Sequence, residues 1–397
     1  MTGAKVLILG ASALQVPMIR RARELGMRTV VVDHNPLACG VPLADEFHAI
    51  STNDIPALVA LARRAGIDGV TTLATDMPVR SIAAIAQALG LRGISPETAL
   101  ACTDKEVMAE TFQRAGLPHP RFAAVTTLEA ARAALERIGP PVIIKPTDSS
   151  GSRGVIQVTG PDELPEAFAY AQAASRTGRL LVEERLRGPE ISCEVLCIAG
   201  SPHVVALTDK HTTGAPHFIE VGHALSARLA PPTEAAVRRL IADTTAAFGL
   251  TDGPAHIETI LTDSGPRLVE LGARLGGDFI ASDLVPLATG VDLIGLVLRQ
   301  ACGEAIPVPI PGSGGAAARF LSAAPGPLAG FSGLQEAAAV PGVVTVQTWA
   351  EPGHIVTGLH SSSDRVAVVL AQGLDRDAAI ASCEAAAQLI TVHGGRS

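Results

Sequence analysis

Lysine is scarce in this chain of 397 residues, which has 31 lysine and arginine residues in total. Only Lys5, Lys105, Lys145 and Lys210 are lysines. Since lysine is ordinarily one of the commonest residues, each lysine that remains is more informative than usual. Acidic residues number 39, so the formal net charge is −8, which argues against a nucleic-acid backbone or an anionic membrane as the main partner.

Long apolar runs, cysteine motifs and aromatic residues are also lacking. No stretch approaches the roughly 18 apolar residues of a membrane span, and the N-terminus lacks a signal-peptide pattern. The six cysteines form no CxxC pair, so we expect reduced, buried thiols and a cytoplasmic protein. Aromatic residues make up 3% of a chain that is 47% hydrophobic and 18% charged, which indicates helices packed on buried sheets.

Short apolar strands and amphipathic helices alternate over the first hundred residues. Strand-like segments at 6–9, 29–32 and 69–73 are separated by helical patterns. This alternation predicts a parallel sheet with helices on both faces. The turn at 10–12 lacks the GxGxxG spacing and so does not favour a nicotinamide site.

The rest of the chain changes character twice. Residues 122–187 predict strands and helices around a Gly-rich turn, and residues from about 190 to 275 predict antiparallel strands with one helix near 233–248. A Pro/Gly-rich linker at 306–315 precedes more strands and a helix near 376–389. We therefore predict an α/β protein, α+β in its central part, with two or three domains.

The segment VIIKPTDSSGSRGV, which starts at Val142, is the most informative about chemistry. An apolar strand ends at Lys145 and is followed by a loop of small residues and another strand. Small side chains let backbone N–H groups approach phosphate oxygens, and a lysine adds a point charge. A surface hairpin with a snorkelling lysine is the alternative, and this segment alone does not decide between the two.

A second segment, LLVEERLRGPE, starts at Leu180 and ends a buried strand with two adjacent carboxylates. It suits a hinge that presents acceptors to an adenine amino group, with Glu190 following as an acceptor for ribose hydroxyls. Exposed Glu–Arg pairs at a strand end are the alternative, and such pairs contribute little to stability.

A third feature is the carboxylate pair Glu258 and Glu270, on two predicted strands joined by a turn at 263–265. On an antiparallel hairpin the two side chains can come together on one face. Buried like charges are costly unless a cation neutralises them, and oxygen-only ligands favour Mg²⁺ over Zn²⁺. Ordinary solvent-facing acids are the alternative interpretation.

Taken in order, these motifs resemble those of the ATP-grasp superfamily over nearly the whole chain. The combination of PTDSSGSRGV, TDKHTTGAPHFIEVGH and ELGARLGGD is most similar to carboxylate–amine ligases, which include L-amino-acid (dipeptide) ligases. The resemblance implies an ATP-grasp fold with a Rossmann-like pre-ATP-grasp domain over 1–102. It also implies a two-lobed nucleotide-binding domain over 103–305, with a lid at about 122–187, and a small α+β domain over 306–397.

The resemblance also implies roles for individual residues. Glu258 and Glu270 would hold Mg²⁺, or alternatively Mn²⁺, and Arg274 would face the transferred phosphate. Lys210 and His223 would line the substrate side, although His223 is also compatible with a structural role. ATP would be bound by the first residue of a helix, the Gly-rich loop and the hinge, namely Lys105, Lys145, Ser149, Ser150, Gly151, Ser152, Gly154, Glu183, Glu184, Leu186 and Glu190.

One position departs from the family pattern. Gly272 stands where many ATP-grasp enzymes carry an asparagine two residues beyond the second metal-binding glutamate, which leaves the number of metal ions open. His223 and Asp278 are both candidate acceptors for a substrate proton, although Asp278 can equally cap the helix that follows it.

The activity implied by the resemblance is ATP-dependent activation of a carboxylate, expected to be an amino acid or a related acid, as an acyl phosphate. An amine then attacks it to form an amide. The expected partners are small carboxylate and amine substrates, without nucleic acid or membrane, and a homodimer is expected. The alternatives are a purine-pathway carboxylase or formyl-activating relative and a nucleotide-binding regulatory module.

Overall fold

The computed structural model describes residues 3–394, so the outer ends of the two predicted terminal domains, at 1–2 and 395–397, lie outside the described residues. The chain begins with a parallel sheet in the strand order β3-β2-β1-β4, as predicted. The elements of this part are β1 (Lys5–Leu9), α1 (Val16–Glu24), β2 (Arg28–Asp33), β3 (Glu46–Ala49), α2 (Ile55–Ala65), β4 (Gly69–Thr71) and α3 (Val79–Leu89).

Both faces of this parallel sheet are covered, because successive side chains of a strand point to opposite sides. In β1, Val6 and Ile8 pack with helix α1, whereas Leu7 and Leu9 pack with α2 and α3. All four side chains are completely buried. The near-continuous apolar run of the first strand therefore has the pattern expected for a strand between two helical layers.

A four-stranded antiparallel sheet in the order β5-β8-β6-β7 forms the lid. Its strands share one apolar core with its two long helices. This part of the chain consists of α4 (Pro96–Ala101), α5 (Lys105–Arg114), β5 (Phe122–Val125), α6 (Leu128–Ile138), β6 (Val142–Pro146), β7 (Ile156–Val158), α7 (Leu164–Ala173) and β8 (Leu180–Glu184).

The central part contains the predicted antiparallel strands, together with β11, which was not predicted. Its elements are β9 (Glu190–Ile198), β10 (Ser201–Thr212), β11 (Glu220–Leu225), α8 (Pro231–Ala247), β12 (Gly253–Thr262) and β13 (Gly265–Gly272). After a π-helical turn at Ile280–Leu284, the last part contains α9 (Val285–Thr289), α10 (Leu293–Ala301), β14 (Gly315–Leu321), β15 (Gly326–Ser332), α11 (Leu334–Ala338), β16 (Val343–Thr348), β17 (Ile355–Val356), β18 (Ala367–Gly373), α12 (Arg376–Leu389) and β19 (Thr391–Gly394).

Eight strands from the central and last parts form one antiparallel sheet in the order β13-β12-β9-β10-β11-β14-β18-β16. The last part thus extends the central sheet through the pairing of β14 with β11, and it adds a small sheet in the order β17-β15-β19. The predicted domain boundaries at 102/103 and 305/306 remain predictions.

Strand alternation gives the central sheet an apolar face and an opposite face that is polar at the cleft, while Leu196 on that side belongs to the core that includes helix α1. In β9, Cys193 and Val195 pack against helix α8, and in β12 Ile257 belongs to the same core. Residues that alternate with them, such as Glu194 and Glu258, therefore point to the opposite face. This polar face forms the floor of the cleft described below.

Two expectations about the whole chain can be compared with the structure. All six cysteines are free, and five are buried as predicted, but Cys39 is exposed because it lies in the loop after β2. Between residues 3 and 394, no single helix is both long and apolar enough to cross a membrane; only the pair Ile280–Thr289 and Leu293–Ala301, bent by 118°, meets both conditions together.

Candidate active site

A cleft of about 690 Å³ lies between the lid and the polar face of the central sheet. The structure brings together in this cleft every residue predicted for the site except Gly154 and His223. The predicted residues that line it are Lys105, Lys145, Ser149, Ser150, Gly151, Ser152, Glu183, Glu184, Leu186, Glu190, Lys210, Glu258, Glu270 and Arg274. Their individual roles remain predictions.

Lys145 lies at the end of β6, where the sheet register holds it beside Glu183. Because Ile143 pairs directly with Glu183 across β6 and β8, Lys145 is the diagonal neighbour of that glutamate. The Lys145 Nζ and Glu183 Oε2 atoms are 2.7 Å apart, and the two side chains are only 7% and 9% exposed. This pair forms one wall of the cleft.

The next residue, Glu184, points its carboxylate away from Lys145. It accepts hydrogen bonds from Arg121, whose Nε lies 3.3 Å away, and Arg267 lies 3.5 Å from its other oxygen. Burial raises the pKa of Glu184, but the Arg121 backbone N–H and the charge of Arg267 outweigh burial and lower it. The carboxylate of Glu184 is thus already engaged by two arginines.

The Gly-rich loop covers the cleft and contacts the last part of the chain. The Gly151 carbonyl accepts a hydrogen bond from the N–H of Ser362 at 3.3 Å. Ser362 Oγ donates to Glu220 Oε2 at 2.7 Å, and Ser152 Oγ lies 3.4 Å from the same oxygen. The loop is therefore linked to the C-terminal part through the shared Glu220 carboxylate, which was not predicted as a site residue.

Gly154 shapes this loop and does not face the cleft. Its φ angle is +75°, and a Cβ atom there would lie 2.6 Å from Ala174 Cβ and 2.9 Å from Pro146 Cγ. Both the backbone conformation and the lack of space therefore require glycine.

Glu258 and Glu270 are direct cross-strand partners in the pairing of β12 with β13. Each carboxylate forms an ion pair with a lysine. Lys105 Nζ lies 2.6 Å from Glu270 Oε1, and Lys210 Nζ lies 2.7 Å from Glu258 Oε1. Lys210 also contacts Glu190 at 2.6 Å. Three of the four lysines in the sequence therefore end in this cleft.

These ion pairs stabilise the charged forms of the buried groups. Burial lowers the pKa of both Lys105 and Lys210, but the neighbouring carboxylates raise it more, so both remain protonated. Burial raises the pKa of Glu258, but the charge of Lys210 and a hydrogen bond from His256 bring it well below its usual value. For Glu190 burial prevails over the charge of Lys210, and its pKa is raised.

Arg274 pairs with Asp76, which lies in the loop between β4 and α3 of the N-terminal part. Arg274 Nε donates to Asp76 Oδ1 at 2.8 Å. Burial raises the pKa of Asp76, but the charge of Arg274 lowers it below its usual value. A Cβ atom at Gly272 would lie 3.0 Å from Asp76 Oδ1, so this pair occupies the space beside Gly272. Asp76 was not predicted, because 198 residues separate it from Arg274.

His223 lies outside the cleft in a buried polar cluster. Its Nε2 atom is 3.4 Å from Asp278 Oδ2, and Arg365 holds both Asp278 oxygens at 2.7 Å. The Arg365 guanidinium also stacks 3.8 Å from the Phe320 ring centroid. The Asp278 side chain does not cap the following helical turn, since no side-chain hydrogen bond caps it. This placement favours the structural interpretation of His223, and its functional role remains a prediction.

His256 and Glu194 form a second buried pair, on the floor of the cleft. They are cross-strand partners on β12 and β9, and His256 Nδ1 is hydrogen-bonded to Glu194. Burial lowers the pKa of His256, but the charge of Glu194 raises it to about 9. His256 was not predicted as a site residue. The signal that could have found it is its position two residues before Glu258, because strand alternation puts both side chains on the same face.

The facing carboxylates of Glu258 and Glu270 are the predicted metal ligands. Among residues 3–394, no three or more His, Cys, Asp or Glu side chains are gathered in an arrangement that holds a metal, and lysines occupy the two carboxylates. Glu258 and Glu270 still offer facing oxygen donors, which fit Mg²⁺ when phosphate oxygens and water complete its coordination. The residues present are therefore compatible with a metal–nucleotide complex.

Comparison with known proteins agrees with this geometry. An ATP-grasp domain profile matches residues 138–283, in agreement with the ATP-grasp fold that the sequence motifs indicated. A profile for the L-amino acid ligase C-terminal domain 2 matches residues 319–393. The chain thus has one region similar to ATP-grasp domains and a later region similar to the C-terminal domain of L-amino acid ligases.

Individual relatives are similar over different lengths. The uncharacterized protein y4rH of Sinorhizobium fredii is 28% identical over 91% of this chain and 77% of its own length. Alanine–anticapsin ligase of Bacillus subtilis is 27% identical over 62% of this chain. A formate-dependent phosphoribosylglycinamide formyltransferase of Paraburkholderia xenovorans is 30% identical over 46%. The aligned regions span 56% and 46% of the latter two proteins, about half their length.

A solved structure resembles the whole chain. The crystal structure of an L-amino acid ligase from Bacillus licheniformis superposes with a TM-score of 0.86 and covers 100% of both chains at 22% identity. At this identity the likeness concerns the fold, and it confirms the ATP-grasp fold expected from the sequence.

Proposed function

We propose that the protein is an ATP-dependent carboxylate–amine ligase, as the sequence motifs predicted. It activates a carboxylate, expected to be that of an amino acid or a related acid, as an acyl phosphate and joins it to an amine, with release of ADP and phosphate. The observation that carries this proposal is one cleft lined both by Lys105, Lys145 and Arg274 and by the facing carboxylates of Glu258 and Glu270. The similarity to L-amino acid ligases agrees with it.

The chemistry requires charge neutralisation and alignment more than a covalent contribution from the protein. A carboxylate reacts poorly with an amine because its oxygen is a poor leaving group. Transfer of the ATP γ-phosphoryl group to that oxygen forms the acyl–O–P bond and releases ADP. The amine then attacks the acyl carbon, expels phosphate and loses a proton. Lys105, Lys145 and Arg274 would stabilise the charge that develops on the phosphoryl oxygens.

The nucleotide would lie between the lid and the central sheet. The hinge backbone around Leu186 would accept the adenine ring, and Glu190 the ribose hydroxyls. In the chain described here Glu190 is paired with Lys210, so ribose binding would require this ion pair to rearrange. Mg²⁺, or Mn²⁺, would be held by Glu258 and Glu270 and would neutralise the transferring phosphoryl group.

Exclusion of water is the second requirement, because an acyl phosphate hydrolyses readily. The Gly-rich loop contacts Ser362, which is bonded to Glu220, and in this position the loop would shield the reacting centre from water. The cytoplasmic location and the homodimer both remain predictions.

ADP release, measured over pairs of amino acids and related acids with amines, tests the proposal. Parallel reactions contain bicarbonate or formate with an amino ribonucleotide, which are the substrates of the purine-pathway alternative. We expect ADP together with an amide product, identified by mass spectrometry, only in the acid–amine reactions. Turnover confined to bicarbonate or formate would refute the ligase proposal, and nucleotide binding without any turnover would favour a regulatory module.

A further inference from the structure

The buried pair of Glu194 and His256 is fixed from two sides. One carboxylate oxygen of Glu194 is hydrogen-bonded to His256 Nδ1, and the other accepts the N–H of Gly276 at 3.0 Å. Glu194 is completely buried and His256 is 6% exposed. Because Glu194 satisfies the Nδ1 atom, the imidazole ring is oriented with Nε2 as its remaining nitrogen.

Gly276, in the loop beside this pair, has no space for a side chain. A Cβ atom at Gly276 would lie 2.5 Å from Glu194 Oε1 and 2.8 Å from His256 Nδ1. A buried ionisable pair is weak evidence for stability by itself, because desolvation offsets much of its attraction. The arrangement therefore calls for a role beyond holding the strands together.

The second ring nitrogen of His256, Nε2, faces Glu258, one carboxylate of the pair. Strand alternation puts His256 and Glu258 on one face of β12, and the directly paired residues of β13 are Gly272 and Glu270. Of these four neighbouring positions, three have side chains that can bind a metal ion, and the fourth, Gly272, has no side chain. The space beside Gly272 is taken by Asp76 and Arg274.

The separation of the donors suits a common metal ion. His256 Nε2 lies 3.4 Å from Glu258 Oε1, which is long for a hydrogen bond between charged groups. Adjacent ligands of an octahedral ion with bonds of about 2.1 Å lie about 3 Å apart, so these two donors are close to the spacing of neighbouring ligands. A buried carboxylate on the other ring nitrogen is the usual support of a metal-binding histidine.

We propose that His256 Nε2 is a third protein ligand of the ion held by Glu258 and Glu270, in place of the side-chain oxygen that Gly272 lacks. The proposal rests on the proposed function for the presence of the ion. In the described chain Lys105 and Lys210 occupy the two carboxylates, so three donors are not yet gathered. On metal binding the Nε2 proton leaves to solvent, and the Nδ1 proton stays on the Glu194 side.

A nitrogen ligand also changes the preferred ion. Mg²⁺ favours oxygen ligands and gives up its water reluctantly, whereas Mn²⁺ accepts imidazole more readily. We therefore expect Mn²⁺ to bind more tightly than Mg²⁺ in the presence of nucleotide, and the difference to shrink when the imidazole is removed.

Pulsed electron paramagnetic resonance of Mn²⁺ in the full-length protein with ADP tests the ligand directly. We expect nitrogen modulation that changes when the histidines are labelled with ¹⁵N, which separates imidazole from the adenine nitrogens. In His256→Gln this modulation should disappear, and Mn²⁺ affinity should fall about 10- to 100-fold. His354→Gln, which replaces an exposed histidine, should leave both unchanged.

The possible outcomes separate this inference from the proposed function. Nucleotide-dependent Mn²⁺ binding without a histidine signal in the wild-type protein would overturn the inference and leave the ligase proposal intact. That measurement needs no variant, so a folding defect of His256→Gln does not affect it. Failure of Mn²⁺ to bind with ADP under any condition would overturn both.

Discussion

At the scale of single residues, the scarce lysines identify the cleft. Lys105, Lys145 and Lys210 each end within 2.7 Å of a carboxylate there, whereas Lys5 donates to the backbone carbonyl of Ala65. A compact ammonium suits a phosphate cluster better than the planar fork of arginine. Arginine can replace lysine where only a positive charge is needed, so a chain poor in lysine would keep lysine at these three positions.

This contrast gives a matched pair of variants. Lys145→Met removes a charge that faces the cleft, and we expect turnover to fall by about 10² to 10³ because an electrostatic donor to the phosphoryl group is lost. Lys5→Met, far from the cleft, should keep the wild-type rate. Steady-state ADP release with the acid–amine pair from the screen measures both, and circular dichroism checks that both variants fold. Equal rates in the two variants would contradict the assignment of Lys145.

The buried Asp278–Arg365 pair predicts a dependence of stability on pH. Burial raises the pKa of Asp278, but hydrogen bonds from Arg365 and His223 and their charges lower it well below its usual value. A carboxyl whose folded pKa is depressed stabilises the fold above its unfolded pKa, near 3.9, and this contribution is lost as pH falls towards the folded value.

Asp278→Asn should therefore lower the free energy of unfolding by about 3 kcal/mol at pH 7, since Arg365 is left buried without its partner. The Asp278 side chain is 26% exposed, which keeps this loss at the low end for a buried pair. Urea unfolding at pH 7 and at successively lower pH measures it, and the difference from wild type should shrink below about pH 4. Glu234→Gln, which removes the exposed pair with Arg238, should cost less than about 1 kcal/mol at any pH.

At the scale of helices and strands, local sequence patterns predicted most elements. Helices α2, α3, α6 and α12 lie where apolar stripes predicted helices at 55–65, 79–89, 128–138 and 376–389. Strands β3, β11, β15, β17 and β19 were missed. Strand β3 is a short, largely half-buried edge strand, and β11 lies inside a segment interpreted only as a motif.

The candidate site was predictable where its residues share a strand or a hairpin, and less so elsewhere. Glu258 and Glu270 face each other because one turn sets their register. Glu220 was missed together with strand β11, which carries it into the cleft beside Lys210. Asp76 meets Arg274 only through the packing of the N-terminal part against the central part, and such a long-range contact leaves no local pattern of periodicity or spacing.

Two glycines of the Gly-rich loop differ in the space that a Cβ atom would have, and this difference gives a prediction. Gly151 and Gly154 both have positive φ angles, +66° and +75°, but a Cβ atom at Gly151 meets nothing closer than 4.0 Å. At Gly154 it meets Ala174 and Pro146 within 3 Å.

Gly151→Ala should therefore cost only the left-handed backbone strain, about 1 kcal/mol, whereas Gly154→Ala should cost about 2–4 kcal/mol because overpacking is added. Hydrogen exchange of the lid strands, combined with urea unfolding, measures the two losses. Equal stability of the two variants would contradict the close packing of Gly154 against Ala174 at the end of helix α7.

At the scale of the whole molecule, the last part of the chain contributes to closure of the cleft. Ser362 contacts both the Gly151 carbonyl and the Glu220 carboxylate, and Tyr170 of the lid donates to the His360 carbonyl at 3.2 Å. Arg365 anchors the same segment to Asp278. The segment 360–365 is thus fixed to the body of the protein at one end and to the lid at the other.

If this segment holds the lid over an acyl phosphate, weakening it should let water in. Ser362→Ala removes the hydroxyl that donates to Glu220 but keeps the backbone contact with Gly151. We expect ADP release with the acid alone, in the absence of amine, to rise several-fold, while the amide formed per ADP falls, since intermediate is lost to hydrolysis. Ser332→Ala, which removes an exposed hydroxyl bonded to His393, should leave the ratio of amide to ADP unchanged. An unaltered ratio in Ser362→Ala, with ATP binding retained, would show that the lid closes without this segment and that its contacts serve stability alone.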